Sequence, residues 1–345
     1  MRRVRLIDVA ERAGVSMKTV SNVIHDYPHV APALRARVQA AIDELGYRPN
    51  LTARRLATGR TGMIALAIPE IDHPYFSELS RRIAEEATTL GYRVIFEQTL
   101  SDASAERAVL HDREAGLVDG VIFHPVQMGT MEIARLAPDV PLVLLGEAAM
   151  PVTTDHVMID NVAAAADGVA LLLGAGRRRI AFLGTVRDDI TGSTGQRLLG
   201  YQDRLIATGI TPSPDLILPV DGFSIEDSRD ALLRAIDRGV EFDAVLCRDD
   251  KFAIGALKAL ATAGRAVPAD VAVLGWDDTH LASYSSPALT SIAPDKRALA
   301  RTALELLLER IEGYKGVGRH RIVPHAISVR ETTPSSTPGF TALET

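Results

Sequence analysis

A single cysteine, Cys247, stands in the 345 residues, so no internal disulfide can form, a usage that suits a reducing cytoplasm. Residues 1–25 lack the apolar core of a secretory signal. No apolar run reaches membrane-spanning length, since the longest, 162–173, is interrupted by Asp167 and Gly168. HExxH, GxSxG and a Walker A lysine are all missing, nine histidines are scattered without metal-ligand spacing, and Cys247 has no evident partner. These absences argue against an enzyme, a metal centre, a cofactor and a membrane partner. Apolar content of 47% over this length instead predicts a packed protein of two or three domains.

What is present begins with LIDVAERAGVSMKTVSNVIH, Leu6 to His25. Leu6, Val9, Ala10 and Ala13 recur at helical spacing, and Gly14 ends that helix in a sharp turn. Ser16 is placed to cap a second helix whose buried stripe is Val20, Val23 and Ile24. Met17, Lys18, Ser21, Asn22 and His25 share its opposite face. The pattern predicts a helix-turn-helix whose second helix can enter a DNA major groove, although an ordinary buried helical hairpin has the same spacing. Charge separates the two readings. Residues 1–60 hold eleven Lys/Arg against five Asp/Glu, whereas the whole chain is −6, so the remainder carries twelve excess negative charges. A basic head on an acidic body suits a head that meets phosphates.

A third helix is expected from Pro32 to Leu45, ended by Gly46. PNLTARRLATGR, Pro49 to Arg60, reads as a basic linker or as a short helix capped by Asn50, too short to be stable alone. From Met63 the pattern becomes apolar strands alternating with amphipathic helices. Strands are expected at 63–68, 93–97, 120–124, 142–146 and 157–159, with helices at 75–90 and 104–115. A helix at 161–173 leads to a second series, with strands at 180–184, 216–220, 244–247 and 271–275 and helices at 196–207, 225–237 and 251–263. A helix at 295–311 and a strand at 326–330 close the body. Continuous apolar strands imply parallel sheets covered on both faces, hence two α/β lobes. The Ser/Thr/Pro-rich tail, 334–345, reads as disordered.

In this order, DVAERAGVSMKTVSNVI (Asp8 to Ile24), LGYRPN (from Leu45), ARRLATGRTGMIAL (from Ala53), PYF at Pro74, VDGVI at Val118, IDN at Ile159, QRLLGY at Gln196, AIGAL at Ala253 and LGWDD at Leu274 resemble the LacI/GalR family of bacterial transcriptional regulators. The resemblance spans roughly residues 4–333. It implies an all-α three-helix DNA-binding head (helix-turn-helix, residues 1–49), a hinge helix (50–61) and an α/β two-lobed body like a periplasmic binding protein (62–333). The chain would cross between lobes near Asn161, Ile292 and Pro324. Lobe 1 is then 62–161 plus 293–324, and lobe 2 is 162–292 plus 325–333.

By that resemblance the protein is a cytoplasmic homodimer on a near-palindromic operator, regulated by a small molecule held between the lobes, most simply a sugar. Met17, Lys18 and Asn22 face base edges, Ser16, Thr19 and Ser21 hold phosphates, and His29, Asn50, Ala53 and Leu56 complete the DNA-facing set, Leu56 as a minor-groove wedge. Asn22 stands where many members carry Arg, which favours adenine over guanine at that position. Tyr75, Phe76, Thr191, Ser193, Arg197, Phe223, Arg248 and Asp277 match effector-pocket positions. Phe76 and Phe223 suit a core equally well, and Arg197 and Asp277 can pair with each other. Arg248, where sugar-sensing members have Asn, is suited either to an anionic effector, making the protein a corepressor-dependent sensor of a nucleobase or anionic metabolite, or to neutralising Asp249, Asp250 or Asp277. A free solute-binding protein shares the lobes but not the basic head.

Overall fold

The computed structural model describes residues 4–24, 27–47, 60–111, 116–136, 140–147, 151–185 and 192–334. The chain divides into two compact units, Met1–Thr61 and Gly62–Thr345. The first contains α1 (Leu6–Ala13), α2 (Met17–Ile24) and α3 (Pro32–Leu45). Val9, Ala10, Ala13, Val20, Val23, Val38 and Ala41 form its core, so the apolar stripes of all three helices meet. Gly14 and Gly46 end α1 and α3 in left-handed conformation, at φ 63° and 62°, a region glycine enters without steric cost. A tight turn after α1 therefore delivers α2 across it with its polar face outward.

The second unit contains two six-stranded sheets. In chain order it runs β1 (Met63–Ile68), α4 (Pro74–Thr89), β2 (Arg93–Gln98), α5 (Ala103–His111), β3 (Gly120–Phe123), α6 (Thr130–Leu136), β4 (Leu142–Leu145) and β5 (Asp155–Ile159). Then come α7 (Asn161–Gly174), β6 (Ile180–Thr185), α8 (Ser193–Ala207), β7 (Ile217–Pro219), α9 (Ile225–Asp237), β8 (Ala244–Cys247), α10 (Asp250–Thr262), β9 (Ala272–Trp276) and α11 (His280–Tyr284). The last elements are β10 (Thr290–Pro294), α12 (Lys296–Ile311), β11 (His320–Val323) and β12 (His325–Ser328). The sheet orders are β11-β5-β4-β3-β1-β2 and β12-β10-β9-β8-β6-β7. Every pairing is parallel except β10 with β12.

Alternation along the strands explains how continuous apolar runs are used. Ile64, Leu66 and Ile68 of β1 enter one core, and Ala65 and Ala67 enter another on the opposite face. Ile180 and Phe182 of β6 likewise separate from Ala181 and Leu183. Both faces are dry, so no polar alternation appears in the sequence.

Helix α7 packs on α8 at Gly200, where an added Cβ would lie 2.1 Å from the Val162 carbonyl oxygen. Gly200→Ala is expected to lower unfolding stability by about 2 kcal/mol, because backbone must move to relieve the overlap. Urea unfolding measures this, and a loss within experimental error would mean the helices part freely.

The sequence pattern missed β10, β11, α6 and α11. β10 and β11 are short, and β11 is mostly exposed. Since β10 stays in the second sheet through Pro294, the crossing expected near Ile292 lies instead at Asp295. The connection from α12 to β11 is pinned by Asp155, which is wholly buried at the start of β5. Its carboxylate accepts from Arg310 Nε at 2.7 Å and from Arg319 backbone N at 2.8 Å and Nη2 at 2.9 Å. Burial alone would raise its pKa, but the Arg319 and Arg310 hydrogen bonds outweigh it and lower the value to about 2.

Candidate functional site

In the head, α2 presents the expected face. Ser16 Oγ accepts from the Thr19 backbone N–H at 3.2 Å and shares a 2.9 Å hydrogen bond with Thr19 Oγ1, capping the helix. Met17 and Lys18 are exposed, and Ser21 and Asn22 are half-buried on the same side, opposite Val20 and Val23. His29 is exposed in the following turn, with its ring edge-on to Tyr27. His25 and the expected hinge residues Asn50, Ala53 and Leu56 lie outside the described residues.

The second unit opens at the carboxyl ends of its two sheets. In each, the strand order reverses beside the first strand, at β1/β3 and at β6/β8. Loops leaving adjacent strands diverge there and leave a crevice, the usual ligand position in open α/β sheets. The two crevices face each other across a cavity of about 500 Å³. Tyr75, Phe76, Ser193, Arg197, Phe223, Arg248 and Asp277 all line it, whereas Thr191 lies outside the described residues. Sequence reasoning missed His73, His124, Glu147, Thr194 and Asp249, which also line it. Position was their signal: His124 follows β3, Glu147 lies just beyond β4, and Asp249 lies just beyond β8.

A polar chain runs along the cavity wall. Glu147 Oε1 accepts from Asn161 Nδ2 at 2.7 Å, and Asn161 Oδ1 accepts from Arg197 Nε at 2.8 Å. Arg197 Nη1 donates to the Arg248 carbonyl at 2.5 Å, and the guanidinium lies 4.1 Å over the Trp276 ring. Arg197 is thus fixed by Asn161 and the Arg248 backbone; no hydrogen bond joins it to Asp277. Arg248 binds Asp249 Oδ2 through Nε and Nη2, both at 3.1 Å, between the rings of Phe252 and Phe223. Of its open readings, Arg248 adopts neutralisation of Asp249. Asp249 Oδ1 also caps α10, accepting from Phe252 N at 2.8 Å. Burial raises the Asp249 pKa, but the hydrogen bond from His73 and the Arg248 charge hold it well below the usual carboxylate range.

Asp277 differs from these neighbours. It is 4% exposed, and among the described residues its carboxylate makes no hydrogen bond. Burial pushes its pKa well above the ordinary range, with the Arg197 charge pulling the other way. Burial keeps the Tyr75 phenol protonated and lowers the His124 imidazole to about 4, so both are neutral polar groups at pH 7. Among the described residues the cavity therefore offers a carboxyl group without a protein partner, a fixed cation, neutral polar groups and aromatic faces, with the Nδ1 atoms of His73 and His124 also unpartnered. Among the described residues no cluster of His, Cys, Asp or Glu is arranged to hold a metal ion, and no helix is long and apolar enough to cross a membrane.

Comparison with known proteins adds to this geometry. The profile described as "Bacterial regulatory proteins, lacI family" matches residues 5–50, and that of a "Periplasmic binding protein-like domain" matches residues 169–333. The chain is 30% identical over 328 residues to the HTH-type transcriptional regulator RegA of Clostridium saccharobutylicum, covering 94% of this chain and 98% of that one. A Lac repressor dimer solved with operator and the anti-inducer ONPF matches with TM-score 0.82 at 28% identity, covering 96% and 99%. A complex of the transcriptional regulator CelR with cellobiose matches with TM-score 0.70 at 29% identity, covering 96% and 100%.

Proposed function

We propose, for a chain that belongs to the lacI family of bacterial regulatory proteins, that it is a homodimeric repressor released from its operator by a neutral saccharide bound between the lobes. The observation that carries the effector reading is the buried, unpartnered Asp277 carboxylate. A carboxyl group that faces the cavity with no protein donor among the described residues is free to accept from the hydroxyl groups of a ligand. Aromatic faces at Phe76 and Phe223 suit the apolar faces of a sugar ring. Arg248 is already neutralised by Asp249, which argues against the anionic-effector alternative. The CelR–cellobiose complex, similar over almost the whole chain, supports the same chemistry.

In the head, Met17, Lys18 and Asn22 read bases, and Ser16, Thr19, Ser21 and His29 meet the backbone. Two heads on a near-palindrome need a dimer, as in the solved Lac repressor complex. Exposed apolar side chains on both lobes suit such an interface: Ile95 and Phe96 on edge strand β2, and Leu281 and Tyr284 on α11. The hinge at 50–57, with Asn50 and Ala53 near the minor groove and Leu56 as its wedge, folds when two copies meet on DNA. Effector binding changes the lobe angle and with it the hinge spacing. A few kcal/mol of differential affinity shifts operator binding by roughly 100-fold.

A salt-dependent gel shift on the DNA upstream of its own gene, with and without a saccharide panel, tests this reading. A salt-independent shift, or no shift at all, would sink it. Asn22→Arg is expected to move base preference by about 10-fold at one symmetric pair of operator positions, from adenine towards guanine. Binding to randomised operators measures this. An affinity change equal across all sequences would make Asn22 a backbone contact.

A further inference from the structure

Asp277 and Asp278 are successive non-glycine residues at positive φ, 100° and 46°. Side chains disfavour this region, so surrounding contacts must hold it. Several do. The Asp277 N–H donates to the Ile292 carbonyl at 2.8 Å, and the Asp278 N–H donates to Ser291 Oγ at 2.9 Å. Thr279 N donates to Asp250 Oδ2 at 2.7 Å. These partners fix the N–H side of the turn and belong to the second lobe. The carbonyl side is held differently. Lys296 Nζ donates to the Asp277 carbonyl at 2.8 Å and the Asp278 carbonyl at 2.9 Å, and its third contact is Glu78 Oε2 at 2.6 Å. Those three contacts match the three donors of an ammonium group. Glu78 Oε1 accepts in turn from the His280 N–H at 2.6 Å.

We propose that Lys296, paired with Glu78, is a positioning residue that draws the two carbonyls together, keeps Asp277 left-handed and so aims its carboxylate into the cavity. This rests on the reading of Asp277 as the effector acceptor. Lys296 opens α12 and Glu78 lies on α4, two helices packed on each other in the first lobe, whereas the turn follows β9 in the second. The acceptor of one lobe is thus oriented by the other. A relative rotation of the lobes pulls the ammonium from the carbonyls and re-aims Asp277, which ties effector affinity to lobe angle through one named contact.

The test uses the full chain with Lys296→Met, which removes the cation but keeps the stem, and Lys296→Arg, which restores cation and donors. Crystal structures without effector are expected to show Asp277 out of positive φ, and its carboxylate withdrawn, in Lys296→Met but not in Lys296→Arg. An unchanged turn in Lys296→Met overturns the proposal. Should that variant fail to fold, Lys296→Gln, which keeps a polar end but lacks the cation and the three-donor geometry, takes its place, and an unchanged turn there overturns the proposal equally. In parallel, a panel of mono- and disaccharides is screened by thermal shift on the parent, and the sugar giving the largest shift becomes the calorimetric probe. Its affinity is expected to fall by about 10-fold or more in Lys296→Met and to recover in Lys296→Arg. If no sugar shifts the parent while the Lys296→Met turn moves, the saccharide reading fails and the positioning role stands. Undiminished affinity in Lys296→Met overturns the role.

Discussion

Asp277→Asn is expected to keep operator binding and lose the response to effector, with effector affinity falling by about 100-fold. Asparagine preserves shape and tolerates positive φ, so the turn at φ 100° survives the change. One of its two acceptor oxygens does not survive it. An amide N–H then stands where a ligand hydroxyl needs an acceptor, and a hydrogen bond lost with a polar group left unsatisfied costs about 1–3 kcal/mol, whose upper end is the about 100-fold loss. Asp277 is 4% exposed, and what exposure it has faces the cavity, so a bound ligand meets this carboxyl directly. Operator binding is carried by the head, the separate unit Met1–Thr61, and should stay within about 3-fold of the parent. Calorimetry with the saccharide probe and gel shift with and without it read the two quantities. A full effector response in Asp277→Asn would show that the acceptor lies elsewhere in the cavity.

Asp155→Ala is expected to destabilise the second unit by about 3–5 kcal/mol, the largest effect of any substitution considered. Removal of this wholly buried carboxylate leaves Arg310 and Arg319, both mostly buried, without their shared counter-charge. Arg319 keeps its contact with Glu309, and Arg310 keeps the Gly316 carbonyl, which places the effect towards the lower end. The same carboxylate gives a pH dependence of definite sign. Its folded pKa of about 2 lies below the ordinary aspartate value of 3.8. The stabilisation of about 2 kcal/mol is therefore complete above the unfolded value and disappears as pH falls from about 4 to 2. Urea unfolding across that window should show the slope in the parent and its absence in Asp155→Ala. A loss under about 1 kcal/mol would mean that the pair of arginines is solvated without Asp155.

Legibility in the sequence followed the range of the forces involved. The helix-turn-helix was readable because its signals are local: Gly14 for the turn, Ser16 for the cap, and Val9, Ala10, Ala13, Val20 and Val23 at helical spacing. The parallel sheets were readable as a class, since strands dry on both faces must be apolar throughout. β10 and β11 were not, because each is four or five residues long and gains its identity only from a partner strand. The cavity residues divide similarly. Tyr75, Phe76, Arg197 and Asp277 came from motif resemblance, whereas His73, His124 and Glu147 carry no local pattern and join the site through strand order.

Arg248 shows where that boundary lies. As letters, Arg248-Asp249 fits an anion receptor and an internal ion pair equally well. The structure shows the ion pair. Both residues are nearly buried, Arg248 at 8% and Asp249 at 4% exposure, so the two adjacent charges lose most of their water and pair with each other at 3.1 Å. Lys296 and Glu78 make the same point at long range: 218 residues separate them, yet they meet at 2.6 Å because α4 and α12 pack in one lobe. Local periodicity, capping residues and charge distribution are short-range properties of the chain, so by itself the sequence determined the head, the two-lobed class and the basic-on-acidic division. Which charges neutralise each other, which carboxylate is left without a partner and what holds it depend on desolvation by distant segments, and only the tertiary structure decided them.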